Sequence, residues 1–179
     1  DSELYTLSIP NREVEKGMYQ IIIPKFTSIT SDDLGLTIEN FRQAFLHSDI
    51  KKLMESLKAA VADIPTVLKK DQCENYYQTV THVLFRQTGF NVISELQSIV
   101  GRTDIVVTTA DSVFIFELKM DKGMNPDTAV EEALKQIEEK GYATRFIVSG
   151  KTTHKIGVVF SNEGKGLVGW KELLQTTKA

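Results

Sequence analysis

Residues 101 to 119 read GRTDIVVTTADSVFIFELK. Two apolar runs flank a short polar turn, the pattern of a β-hairpin. A hairpin this apolar belongs in a core, yet it keeps Asp104, Glu117 and Lys119. If Ala110 and Asp111 form a two-residue loop, Thr109 faces Ser112 and opposed residue numbers sum to 221. Asp104 then stands opposite Glu117, with side-chain roots only about 5 Å apart. Like charges so placed repel unless something neutralises them, and a divalent cation would do so. A looser turn would shift the register by one or two residues and still leave the carboxylates close.

Alternation along the second strand adds a constraint. Ile115, Glu117 and Lys119 share one face, while Phe114, Phe116 and Leu118 share the other. Asp104, Glu117 and Lys119 therefore converge on one side. Hard carboxylate oxygens beside a lysine suit Mg²⁺ or Mn²⁺. Such an ion acidifies water and neutralises phosphate charge, and the lysine is placed to orient or deprotonate that water.

The rest of the chain frames this hairpin. Its 179 residues suffice for one main domain, and 41% hydrophobic with 25% charged residues is an ordinary globular balance. No apolar run reaches the roughly 18 residues of a membrane span, and nothing resembles a signal peptide. Cys73 is the only cysteine, which excludes an internal disulfide and a thiolate zinc cluster and reads as a small packed side chain. His47, His82 and His154 are scattered and read as structural. A reducing, cytoplasmic setting is expected, with no membrane partner. The net charge of -3, from 21 basic and 24 acidic residues, does not announce nucleic-acid binding, so any such binding requires a local basic face. A chain opening on Asp with DSELYTLSIP reads as the C-terminal piece of a longer protein.

Helical periodicity dominates the front. Asn11 suits a cap before Val14, Met18, Ile21 and Ile22, with Pro24 expected to kink or end that helix. A second helix is expected after Thr37. A third follows Ser48, where Ile50, Leu53, Met54, Leu57 and Val61 form a stripe and Lys51, Lys52 and Lys58 lie off it. After Pro65 a fourth helix is expected over about 67 to 88, ending at Gly89. Then the period changes, with strand-like runs in NVISELQSIV, TDIVVTT and SVFIFELK. The best-marked helix is NPDTAVEEALKQIEEKG, with Asn125 as cap, Pro126 at its first position and Gly141 as stop. ATRFIVSG and KIGVVFS read as two further strands before a short terminal segment, LVGWKELL. The expected α/β core is helix, three strands, helix, two strands, over residues 67–179, behind a helical section and linker over 1–66. SGKTT at 149 to 153 lacks the earlier glycine of a phosphate-binding loop, with Arg145 in its place, and reads as a turn.

An acidic helix, then GRTD on one strand and ELK at the end of the next, resembles the PD-(D/E)XK nuclease superfamily and its restriction-endonuclease-like core. GRTD, FELK, ALKQIEEKGYA, IGVVFS and the late Trp170 are more specifically similar to an uncharacterised bacterial group carrying this domain behind an ATPase-like domain. YTLSIPNREVEKGMY is similar to the segment joining those two domains. The resemblance implies that Asp104, Glu117 and the backbone carbonyl of Leu118 bind the metal and that Lys119 is the catalytic lysine. Glu74 matches an accessory acid of some branches and reads equally as a solvated helix carboxylate. Gln136 matches a glutamine on the second core helix, and Tyr142 the tyrosine of KGYA; both also read as ordinary polar contacts. The first motif lacks the proline that names the superfamily, as most branches do. The implied activity is Mg²⁺-dependent hydrolysis of phosphodiester bonds in DNA, or with less support RNA. The alternative is a silent nuclease-fold module that binds and regulates. Arg102, Lys122, Lys135, Lys140 and Arg145 are the basic residues available to hold a phosphate backbone.

Overall fold

A computed structural model describes residues 9–62, 73–97, 102–141 and 150–175. The order is α1 (Arg12–Phe26), α2 (Leu34–Leu46), α3 (Ile50–Ala60), α4 (Cys73–Arg86), β1 (Asn91–Gln97), β2 (Arg102–Thr108), β3 (Ser112–Met120), α5 (Pro126–Glu139), β4 (Thr152–Phe160) and β5 (Leu167–Gln175). The strands form one sheet in chain order, antiparallel except for the parallel pair β3 and β4. A parallel pair needs a crossover, and α5 lies between its strands in sequence. This mixed α/β architecture with a helical N-terminal section is compatible with a restriction-endonuclease-like fold.

Alternation in β3 sorts the core into two layers. Phe114, Phe116 and Leu118 pack with helices α1 to α4, whereas Val113 and Ile115 pack with Ala129, Val130, Leu134 and Ile137 of α5. On the first face, Phe45 meets Phe85 and Phe114 edge-on, both at 5.0 Å between ring centres. Such pairs contribute about 0.5–1.5 kcal/mol each beyond their buried area. The α3 stripe is buried throughout, and Lys51, Lys52 and Lys58 are exposed.

Caps fix the helix starts. Asn11 Oδ1 accepts the Val14 amide at 2.9 Å, Asp49 Oδ1 that of Lys52 at 3.0 Å, and Asn125 Oδ1 that of Asp127 at 2.9 Å. Two expectations, the start of α2 and the terminal segment, need correction. Helix α2 begins at Leu34 and contains Thr37, because Thr30 and Asp33 hydrogen-bond to each other and set the turn before it. Pro24, expected to kink or end α1, lies in its last turn, two residues before the helix ends at Phe26, where few backbone bonds are at stake. LVGWKELL is not a mere tail but strand β5, paired along β4 from Phe160↔Leu167 to Thr153↔Gln175. Its exposed Leu173 and Leu174 blur the alternation that would have marked it. ATRFIVSG lies outside the described residues up to Ser149. Gly150 and Lys151 lead directly into β4, so the SGKTT run opens a strand and not a phosphate-binding helix.

Gly157 sets how closely α5 approaches the sheet. A Cβ there would lie 2.9 Å from the Val130 carbonyl oxygen and 3.1 Å from the Ala133 Cβ. Gly157→Ala is therefore expected to lower stability by about 1–3 kcal/mol, the usual cost of overpacking. Urea unfolding would measure it; an unchanged midpoint would show that α5 yields freely.

Candidate metal and catalytic site

The β2–β3 hairpin has the register read from its turn. Ile105↔Phe116, Val106↔Ile115, Val107↔Phe114 and Thr108↔Val113 pair, and the Thr109 amide donates to the Ser112 carbonyl at 3.0 Å. Backbone pairing stops at Ile105↔Phe116, one step before Asp104 and Glu117. There side chains take over. Asp104 Oδ2 accepts the Leu118 amide at 2.8 Å, and the buried Thr103 hydroxyl donates to the Phe116 carbonyl at 3.2 Å. The strand ends are thus tied by side chains where the two carboxylates meet.

Glu117 lies on the α5 side of the sheet and is only 2% exposed. Gln136, on α5, bridges it to the lysine: its amide donates to Glu117 Oε1, and its carbonyl oxygen accepts from Lys119 Nζ at 2.5 Å. Lys119 and Lys140 stand 3.7 and 3.6 Å from the same Glu117 oxygen. The other oxygen, Oε2, is buried and has no hydrogen-bond partner among the described residues. Burial, then the neighbouring Asp104, raises the Glu117 carboxyl to about 7 despite both lysines. Burial also raises Asp104, against the opposing pull of the Leu118 amide, with the charge of Glu74 adding a smaller push upward.

An orphaned carboxylate oxygen beside a second carboxylate is a strained arrangement without a cation. Among the described residues no three His, Cys, Asp or Glu side chains gather as a ligand set. Two carboxylates with a peptide carbonyl nevertheless fit Mg²⁺, which keeps several waters and needs only one or two protein acids. The residues present therefore fit a hard divalent ion.

Of the residues singled out in the sequence, Asp104, Glu117, Leu118, Lys119 and Gln136 come together, and Glu74, exposed at the start of α4, is close enough to perturb Asp104. Leu118 enters through its amide. Tyr142 and Arg145 lie outside the described residues, as does the side chain of Arg102. Lys135 is exposed and paired with Glu139 at 3.4 Å, and Lys122 is exposed in the loop after β3. The sequence marks Lys140 only as one of the basic residues available to hold a phosphate backbone, at the end of the helix that Gly141 stops. Its approach to Glu117 depends on how α5 packs, which no local pattern encodes. Buried His154 stacks on Phe114 and bonds to Glu172 at 2.5 Å, and partial burial lowers the pKa of His82. Neither histidine belongs to this cluster.

A family model described as the PD-(D/E)XK nuclease superfamily matches residues 72–170. The chain is also similar to a protein of Azotobacter chroococcum mcd 1 known as the uncharacterized protein in the vnfD 5' region, at 27% identity over 170 residues. The similarity covers 93% of this chain and 32% of that protein, so the chain spans about a third of its relative's length. No helix among the described residues is long and apolar enough to cross a membrane.

Proposed function

Because the chain belongs to the PD-(D/E)XK nuclease superfamily, matched over more than half its length, we propose that it is a Mg²⁺-dependent nuclease, with Mn²⁺ the alternative ion, hydrolysing phosphodiester bonds of DNA in preference to RNA. The observation that carries this reading is the buried Glu117 Oε2, unpartnered among the described residues, beside Asp104 and Lys119. Members of the superfamily generally use divalent metals. Here Asp104, Glu117 and the Leu118 carbonyl would hold the ion, which supplies Lewis acidity toward water and phosphate. Lys119 orients the attacking water through its Nζ. Gln136 holds Lys119 in place, and Lys140 adds positive charge where a phosphate would sit. Glu74 and Tyr142 complete the pocket in this reading.

The catalytic core is assigned to 67–179 and the helical section to 1–66, with an ATPase-like domain upstream in the full protein and a cytoplasmic location. A second reading, a silent module that binds and regulates, is favoured by the net charge of -3. Calorimetric titration with Mg²⁺, beside cleavage assays on single-stranded DNA, duplex DNA and RNA, separates the two. The nuclease reading expects Mg²⁺ binding that is lost in Asp104→Asn, and chelator-sensitive cleavage of DNA. Binding without cleavage of any polynucleotide would favour the regulatory reading, and no binding would sink the assignment of Asp104 and Glu117 as Mg²⁺ ligands.

A further inference from the structure

A second cleft, of about 750 Å³, opens between α1, α2 and the turn from α4 into β1. It lies far from the carboxylates. Glu74, beside Asp104, begins α4, whereas Arg86 on the cleft ends it, a helix length of roughly 18 Å away. Its volume is that of a small-molecule site rather than of a surface dimple.

The charges lining it are unbalanced. Glu15 is committed to Arg86 at 2.5 Å, and Glu39 to Gln43 at 2.7 Å and Arg42 at 3.4 Å. Arg12 and Lys16 remain, and among the described residues neither has a hydrogen-bond or ion-pair partner. They stand one turn apart on α1, with Arg12 its first residue. Like charges at that spacing repel, and cations at a helix start oppose the helix dipole. Such a pair is unfavourable to the free protein and favourable to an anion. Leu34, Ile38, Phe90 and Val92 give the cleft an apolar component. Gly35 of α2 and Gly89 of the turn leave open space where side chains would otherwise intrude.

The geometry points to a nucleoside phosphate as the occupant, its phosphate held by Arg12 and Lys16 and its base laid against Phe90 and Ile38. A bare phosphate would leave the apolar lining and most of the volume unused. The nucleoside phosphate could be a free nucleotide or one unit of a polynucleotide strand, and either source satisfies the same contacts.

The test is calorimetric titration of the full chain, in chelator, with ADP, a thymidine tetranucleotide and inorganic phosphate. Saturable binding of ADP identifies a free nucleotide, and binding of the tetranucleotide alone identifies a strand. Arg12→Gln and Lys16→Gln are each expected to weaken binding about tenfold, as for cations contacting a phosphate. Lys58→Gln, exposed on α3 and outside the cleft, is expected to leave it unchanged. Gly35→Leu should fill the open space, abolish binding and leave the melting temperature equal or higher, because the position is helical and unobstructed. The assignment is overturned if neither nucleotide saturates, if binding survives Gly35→Leu, or if inorganic phosphate binds as tightly as both nucleotides.

Discussion

Lys119→Ala is expected to reduce DNA cleavage by about 10³-fold while changing Mg²⁺ affinity less than about threefold, since a positioned proton-handling group contributes roughly 10²–10⁴ to rate. The split follows from geometry. Lys119 Nζ touches Gln136 and lies 3.7 Å from Glu117 Oε1, so its removal would disturb the side of the cluster proposed to orient water. The contact between Asp104 and the Leu118 amide remains. Lys119→Arg should rescue little, because a planar guanidinium cannot replace an ammonium seated on one amide oxygen. Gln136→Leu should produce a milder form of the same defect by freeing Lys119 from its acceptor. Single-turnover cleavage with calorimetry on the same samples measures both quantities. Equal losses of metal affinity and rate in Lys119→Ala would remove the distinction between holding and orienting groups.

Glu117→Gln is expected to stabilise the metal-free protein by about 2–3 kcal/mol at pH 8 while abolishing metal binding. The Glu117 carboxyl is raised from 4.5 to about 7. Between those values the folded state holds a proton that the unfolded state has lost. The contribution to stability is therefore complete below about pH 4.5, declines as pH rises and is gone above about pH 7. A displacement of that size corresponds to roughly 3 kcal/mol. Asp104, also raised, acts in the same direction. Urea unfolding in chelator at pH 5 and pH 8 should show wild type weakening with pH and Glu117→Gln far less so. Saturating Mg²⁺ should restore wild type at pH 8 and leave the variant unmoved. A wild-type stability that rises from pH 5 to pH 8 without metal would refute this account of Glu117.

The hairpin was legible because two constraints coincide there: a two-residue turn fixes register, and strict alternation assigns each side chain a face. Asp104, Glu117 and Lys119 could be brought together on those grounds before any packing was known. Helix α5 was equally legible through Asn125, Pro126 and Gly141. Strand β5 was obscured by exposed Leu173, Leu174 and Trp170, which supply apolar character without a buried face. The periodic residues Val14, Met18, Ile21 and Ile22 did mark a helix, yet they remain exposed and only Ile23 of α1 is buried. Periodicity reports the conformation that would bury a stripe; it cannot report whether anything lies opposite. The position of Lys140 and the bridging by Gln136 were equally beyond local pattern, being set by the distance between a helix and a sheet.

Gly157 governs that distance, and it pairs with Glu117 in the parallel ladder. Asp104, Glu117 and Leu118 belong to the strands, while Gln136 and Lys140 arrive on α5 and just beyond its end. In the proposed nuclease, a missing side chain thus works as a spacer gauge between two assemblies, one that would grip an ion and one that would aim what the ion acts on. Any side chain at 157 would lift the aiming parts away from the grip and leave the grip itself intact. The chain could then remain folded and loaded with metal, yet be idle.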